Sequence, residues 1–181
     1  MLIVVCFLAA CQFKNPISHS EGGGNTESTI DIYDFSFIKL APNSKKKQDV
    51  DDLIKIYFIE NDSSLDTGFA VDIENELVYI DPRVGSRGIR RTNDDPDEIN
   101  NAEDFIDLVE KYEVQNWKKR YADHLDVEDG YGWKLILQYA YGTIETHSGS
   151  GIDMEKITPS NFYSFTKDLA LAVKQGLVET E

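Results

Sequence analysis

Hydrophobic and polar positions alternate most sharply between Tyr131 and Tyr141. Odd positions read Tyr131, Trp133, Leu135, Leu137, Tyr139 and Tyr141; even positions read Gly132, Lys134, Ile136, Gln138 and Ala140. A period of two sends alternate side chains to opposite faces of a strand, so the segment predicts a strand with an apolar odd face. Tyr141-Gly142 can hold the centre of a two-residue turn, with Gly142 supplying the positive φ. That turn sets Tyr139 opposite Ile144, Leu137 opposite Thr146 and Leu135 opposite Ser148. The even face then carries Lys134, Ile136 and Gln138, joined across the turn by Glu145 and His147.

The remaining pattern supplies the rest of a domain over 30–181. Residues 53–59 (LIKIYFI) are almost continuously apolar and predict a central strand. Residues 30–38 (IDIYDFSFI) alternate in part and predict another. Residues 68–73 and 77–80 predict a hairpin joined by Glu74-Asn75-Glu76. Polar stretches at 41–52, 60–67 and 82–98 read as loops. Over 100–112, Phe105, Leu108, Val109 and Tyr112 share one helical face, and Asn100 with Glu103 resembles a capping box. A last helix begins near Pro159, with Ser160 as N-cap and Gly176 at the C-cap; Phe162, Phe165, Leu169, Ala172 and Val173 form its apolar face. The expected fold class is α+β: a mainly antiparallel sheet with two helices packed on one face. Trp133 and Leu135 then meet Phe165 in the core, and the even face of the hairpin is left open.

The N-terminus changes where such a domain would work. Residues 2–10 (LIVVCFLAA) are uncharged and apolar. They are too few to span a bilayer, which takes about 20 residues, and match the apolar core of a secretory signal. Leu8-Ala9-Ala10-Cys11 follows the run and resembles the lipobox of bacterial lipoproteins. The resemblance implies cleavage before Cys11 and a diacylglyceryl thioether on its sulfur. Residues 1–10 are then a signal peptide, and residues 11–29 the lipidated cysteine with its tether. Residues 12–29 (QFKNPISHSEGGGNTEST) are rich in Ser, Gly, Asn and Thr, and reach roughly 25 Å as a random coil. The only cysteines are Cys6 and Cys11, so the mature domain has no thiol chemistry and no disulfide.

A second resemblance lies toward the C-terminus. Asp129-Gly130-Tyr131-Gly132-Trp133, the strand after it, Gly142 and Ser148-Gly149-Ser150 resemble the C-terminal halves of uncharacterised bacterial lipoproteins and small secreted domains. It covers about 50 of the 181 residues and implies no activity.

Charge narrows the partners. Lys+Arg is 18 against Asp+Glu 33, a formal charge of -15. Nucleic acid, anionic membrane surfaces and acidic partners are disfavoured through the overall field, and basic proteins or cations are permitted. The loop at 82–98 segregates its charge. Arg83, Arg87, Arg90 and Arg91 either form an anion site, with Gly85 and Gly88 allowing backbone approach, or pair with Asp94, Asp95, Asp97 and Glu98. No cofactor or resident metal is implied. Calcium stays open at that acidic cluster or at Asp123, Asp126, Glu128 and Asp129, where EF-hand spacing is not met. His19, His124 and His147 share no helical turn, and no Walker A, G-x-G-x-x-G or G-x-S-x-G motif occurs. Ser150 near His147 is the one nucleophile–base pair the sequence offers.

These features point to a membrane-tethered, extracytoplasmic binding domain of the bacterial cell envelope, without catalytic activity. A lipoprotein immunity protein that masks an extracytoplasmic toxin is the narrower alternative, and an envelope hydrolase the other. The expected docking surface is the even face of the hairpin: Lys134, Ile136, Gln138, Glu145 and His147.

Overall fold

A computed structural model describes residues 38, 40–62, 65–81, 83–85, 88–90, 96–123 and 130–178. Among these residues nine strands and three α-helices follow in chain order. They are β1 (Leu53–Asp62), β2 (Leu65–Asp72), β3 (Leu77–Ile80), β4 (Arg83–Gly85), β5 (Gly88–Arg90), β6 (Asp97–Glu98), α1 (Ala102–Lys111), β7 (Arg120–Ala122), β8 (Tyr131–Tyr139), β9 (Ile144–Gly151), α2 (Met154–Ile157) and α3 (Phe162–Gly176). Seven strands form one sheet in the order β6-β3-β2-β1-β8-β9-β7, and β4 pairs with β5 apart from it. Every pairing is antiparallel except β7 with β9.

The apolar run at 53–59 occupies the centre of that sheet, where both faces are covered. Ile56 and Phe58 face one core, with Val71, Val78, Trp133, Leu135 and Leu137. Helix α1 closes this side with Phe105, Leu108 and Val109, and α3 with Phe162, Phe165, Leu169 and Val173. Each such burial contributes about 1.5–3 kcal/mol. This is the expected α+β arrangement of two helices on one face.

The opposite face is not open. Tyr57, Ala70, Ile136 and Ile144 form a second core with Ile38 and Ala41. Beside it Lys55 Nζ meets Asp72 Oδ2 at 2.9 Å, almost out of reach of water. Asp72 also accepts from the Asn75 backbone and side chain, which offsets part of the desolvation such a pair costs. The predicted strand at 30–38 lies outside the described residues except for Ile38.

The β8–β9 register differs from the two-residue expectation by one position. Leu135 pairs with His147, Ile136 with Thr146 and Leu137 with Glu145. The cause is the turn. Tyr139 N–H donates to Thr143 O, and the loop is three residues, Ala140 to Gly142, ending on Gly142 at φ 73°. A one-residue slip flips the returning strand, so Glu145 and His147 stand on the helix-covered side.

Several boundaries also shift. The loop expected at 60–67 is largely strand, and 82–98 contains β4, β5 and β6. Asn101, not Asn100, precedes α1, and its amide donates to Asp104 and to Ala172 O instead of capping. Asn161, not Ser160, precedes α3. Gly176 ends that helix without a positive φ; its missing Cβ makes room for Asn101 Oδ1.

Candidate functional site

The expected docking residues are divided between the two faces of the sheet. Ile136 and Gln138 are buried in the second layer, and the Gln138 amide has no hydrogen-bond partner among the described residues. Lys134 lies on the same face, farther along β8 and half-buried. Glu145 and His147 point the other way. His147 is 0% exposed, edge-on to Trp117 with 6.0 Å between ring centres. Its Nδ1 lies 3.1 Å from Lys118 O, which only accepts, so Nδ1 carries the proton. Nε2 faces Glu145 Oε1 at 3.5 Å. Ser150 is exposed and, at an even position, on the opposite side from His147, so the two do not form a nucleophile–base pair.

Of the arginine loop, Arg83 and Arg90 pair through their backbones at one end of the β4–β5 hairpin; Arg87 and Arg91 lie outside the described residues. Cys11 and His124 also lie outside them. The acidic clusters are only partly described. Asp97 and Glu98 are exposed on β6. Asp123 accepts from the backbone N–H of Ile152 and Asp153, both at 2.9 Å, and so anchors the approach to α2. Among the described residues no three His, Cys, Asp or Glu side chains gather as a metal-ligand set.

A different concavity is prominent. The end of α1, strand β7, α2 and the start of α3 enclose a groove of about 710 Å³. Tyr112, Trp117 and Tyr121 supply its aromatic surface; Glu113, Glu155, Lys118 and Lys156 supply charged groups of both signs. Parallel β7 creates one wall by extending the sheet beyond β9, which brings Tyr121 alongside Trp133 at 5.9 Å. Asn161 Nδ2 donates to Tyr112 O at 2.8 Å and ties the start of α3 to the end of α1. Lys118 N–H donates to Tyr121 Oη, and Lys118 Nζ sits 5.6 Å from the centre of that ring. The ring already holds a cation on its face.

Charge pairs frame the groove. Asp168 accepts from Tyr112 Oη at 2.6 Å and from Lys111 Nζ at 2.8 Å. Hydrogen bonding to Lys111, then to Tyr112, holds the Asp168 carboxyl below its ordinary range. The same carboxylate raises Lys111 and Tyr112. Lys156 bonds Asp153 at 2.6 Å, lowering the acid and raising the amine. Deeper in the molecule, Tyr139 Oη accepts from Gln115 Nε2 and lies 3.2 Å from Glu145 Oε2; burial pushes this phenol well above its ordinary value.

The groove escaped sequence reasoning because its residues come from 112–161 and meet only through tertiary packing. The local signal was the aromatic density of Tyr112, Trp117 and Tyr121, and 113–130 carried no predicted element. No protein-family model matches the chain, and no match emerges from the curated proteins or the solved structures.

Proposed function

We propose that the chain is a lipid-anchored binding domain of the bacterial cell envelope. It works outside the cytoplasmic membrane, without catalysis, and engages a basic protein in the groove between α1, β7 and α3. The observation that carries this reading is the groove itself, at about 710 Å³ with half-buried Tyr112 and Tyr121 and exposed Glu113 and Glu155. A partner's Lys or Arg can pair with the rim acids Glu113 and Glu155. The -15 charge steers such a partner toward the domain. Cys11 and the tether at 12–29 support the placement, since a lipidated cysteine would hold the domain near the membrane surface.

The test is capture of a basic envelope protein by the full chain, followed by its affinity for a Glu113→Lys/Glu155→Lys variant. Both sites are exposed, so the fold tolerates the change. The proposal expects affinity to fall by roughly tenfold or more in the variant, and to fall with added salt in the wild type. Equal affinity for both forms would place the contact elsewhere.

A further inference from the structure

A second, smaller cavity lies at the outer edge of β9. The backbone N–H and C=O groups of successive strand residues point alternately to opposite neighbours. At Ile144 both point outward: its N–H donates to Pro42 O and its C=O accepts from Ser44 N–H. At Ser148 the N–H again points outward, to Lys119 O. Thr146 lies midway, so its N–H and C=O also face the edge, between the segment at 42–44 and the start of β7. Neither group is hydrogen-bonded by any described residue. The sheet edge is filled on both sides of Thr146 and open for one residue.

That opening is a cavity of about 250 Å³, lined by Thr146 with Lys45, Lys46, Lys47 and Lys119. Four lysines line it in a chain with a charge of -15. All four are exposed, and none is in an ion pair among the described residues. Lys47 alone has a side-chain hydrogen bond, to Asn116 Oδ1 at 3.3 Å. The loop carrying the first three is tied down: Ser44 Oγ donates to Lys46 O, and Gln48 Nε2 donates to Ser44 Oγ at 2.8 Å. Glu145 also borders the cavity, but its carboxylate is directed to Tyr139 and His147.

We propose that this cavity binds the C-terminal residue of a peptide, its free carboxylate among the lysines. A bare oxyanion would satisfy the lysines and the Thr146 N–H but would set negative charge against the Thr146 carbonyl. A terminal peptide residue satisfies both groups at once. Its N–H donates to Thr146 O, one carboxylate oxygen accepts from Thr146 N–H, and the other faces the ammonium groups. Pro42 and Ser44 on one side and Lys119 on the other already occupy the adjoining edge positions, so one residue pairs at the edge and the rest of the peptide turns away from it; the lysines favour a terminal carboxylate at that residue. This site is separate from the groove and requires neither the membrane anchor nor the basic partner.

The experiment is an amide-resolved NMR titration of the full chain in detergent. The probes are acetyl-Ala-Ala with a free carboxylate, the same dipeptide as its C-terminal amide, and inorganic phosphate at matched ionic strength. The free acid should move the Thr146 amide resonance and saturate; the C-terminal amide and phosphate should each be weaker by roughly tenfold or more. Lys46→Gln/Lys119→Gln, at exposed positions, should weaken the acid by about tenfold while leaving the other resonances in place. The proposal is overturned if the acid does not bind, if the amide or phosphate binds as well as the acid, or if the lysine variant titrates like wild type.

Discussion

Trp133 joins the sheet to the groove. It is 4% exposed, with its ring 4.6 Å from Phe162 and 6.1 Å from Trp117 between centres. Its Nε1–H donates to Ile157 O at 2.7 Å, which fixes the end of α2 against β8. Gly149 on β9 makes this approach possible: a Cβ there would lie 2.0 Å from Ile157 O and 2.1 Å from Trp133 Nε1. Trp133→Ala should therefore destabilise the fold by about 3–5 kcal/mol, the usual range for truncating a large buried aromatic. Ile157 O would also lose its indole donor. Denaturant unfolding midpoints would measure this, and a loss below about 1 kcal/mol would contradict the packing described. Trp133 was legible as a core residue because alternation over eleven consecutive positions, 131–141, leaves one choice of inner face. Lys55 was not: it reads as an ordinary strand cation, and only the pairing of β1 with β2 brings it to Asp72.

At the scale of elements, α1 and α3 were legible from their apolar stripes, and their docking depends on polar ties that were not. Lys111 and Tyr112 at the end of α1 share Asp168 on α3. The folded Asp168 carboxyl is held below its ordinary value of 3.8, first by Lys111. A depressed acid contributes stability that is fully present above its unfolded value and is lost as pH falls through the folded one. Wild type should thus be more stable than Asp168→Asn near neutrality. The difference should shrink as pH falls from about 5 to about 2. Thermal midpoints of the two proteins across that range would test it, and a constant difference would remove the tie from the account. Asp168 is partly exposed and Lys111 is exposed, so solvent screens the pair and the effect is small. The hairpin shows where pattern reading stops. Alternation located β8 and β9, but two- and three-residue turns both fit Tyr141-Gly142, and the choice between them decides which face His147 occupies. Strand β7 gave no periodic signal at all, since three residues are too short to show one.

Across the whole molecule, charge and concavity are distributed unevenly. The groove carries both signs, Glu113 and Glu155 with Lys118 and Lys156, whereas Lys45, Lys46, Lys47 and Lys119 all line one gap in the sheet edge. The run of three lysines was plain in the sequence; that Lys119 joins it from across the fold was not. Two cores, one on each face, explain why the expected open face is closed: Ile38 and Ala41 pack against Tyr57 and Ile136. Among the described residues no helix is long and apolar enough to cross a membrane. The proposed placement therefore rests on Cys11, whose acyl chains would each contribute about 0.8 kcal/mol per buried CH₂. The most direct test is the mass of the mature N-terminus after expression in a lipoprotein-processing bacterium, with membrane fractionation of wild type and Cys11→Ala. Residues 1–10 should be removed, Cys11 should carry a diacylglyceryl group, and wild type should partition with membranes while Cys11→Ala is released or left unprocessed. An unmodified Cys11, with equal partitioning of the two forms, would contradict the proposed placement.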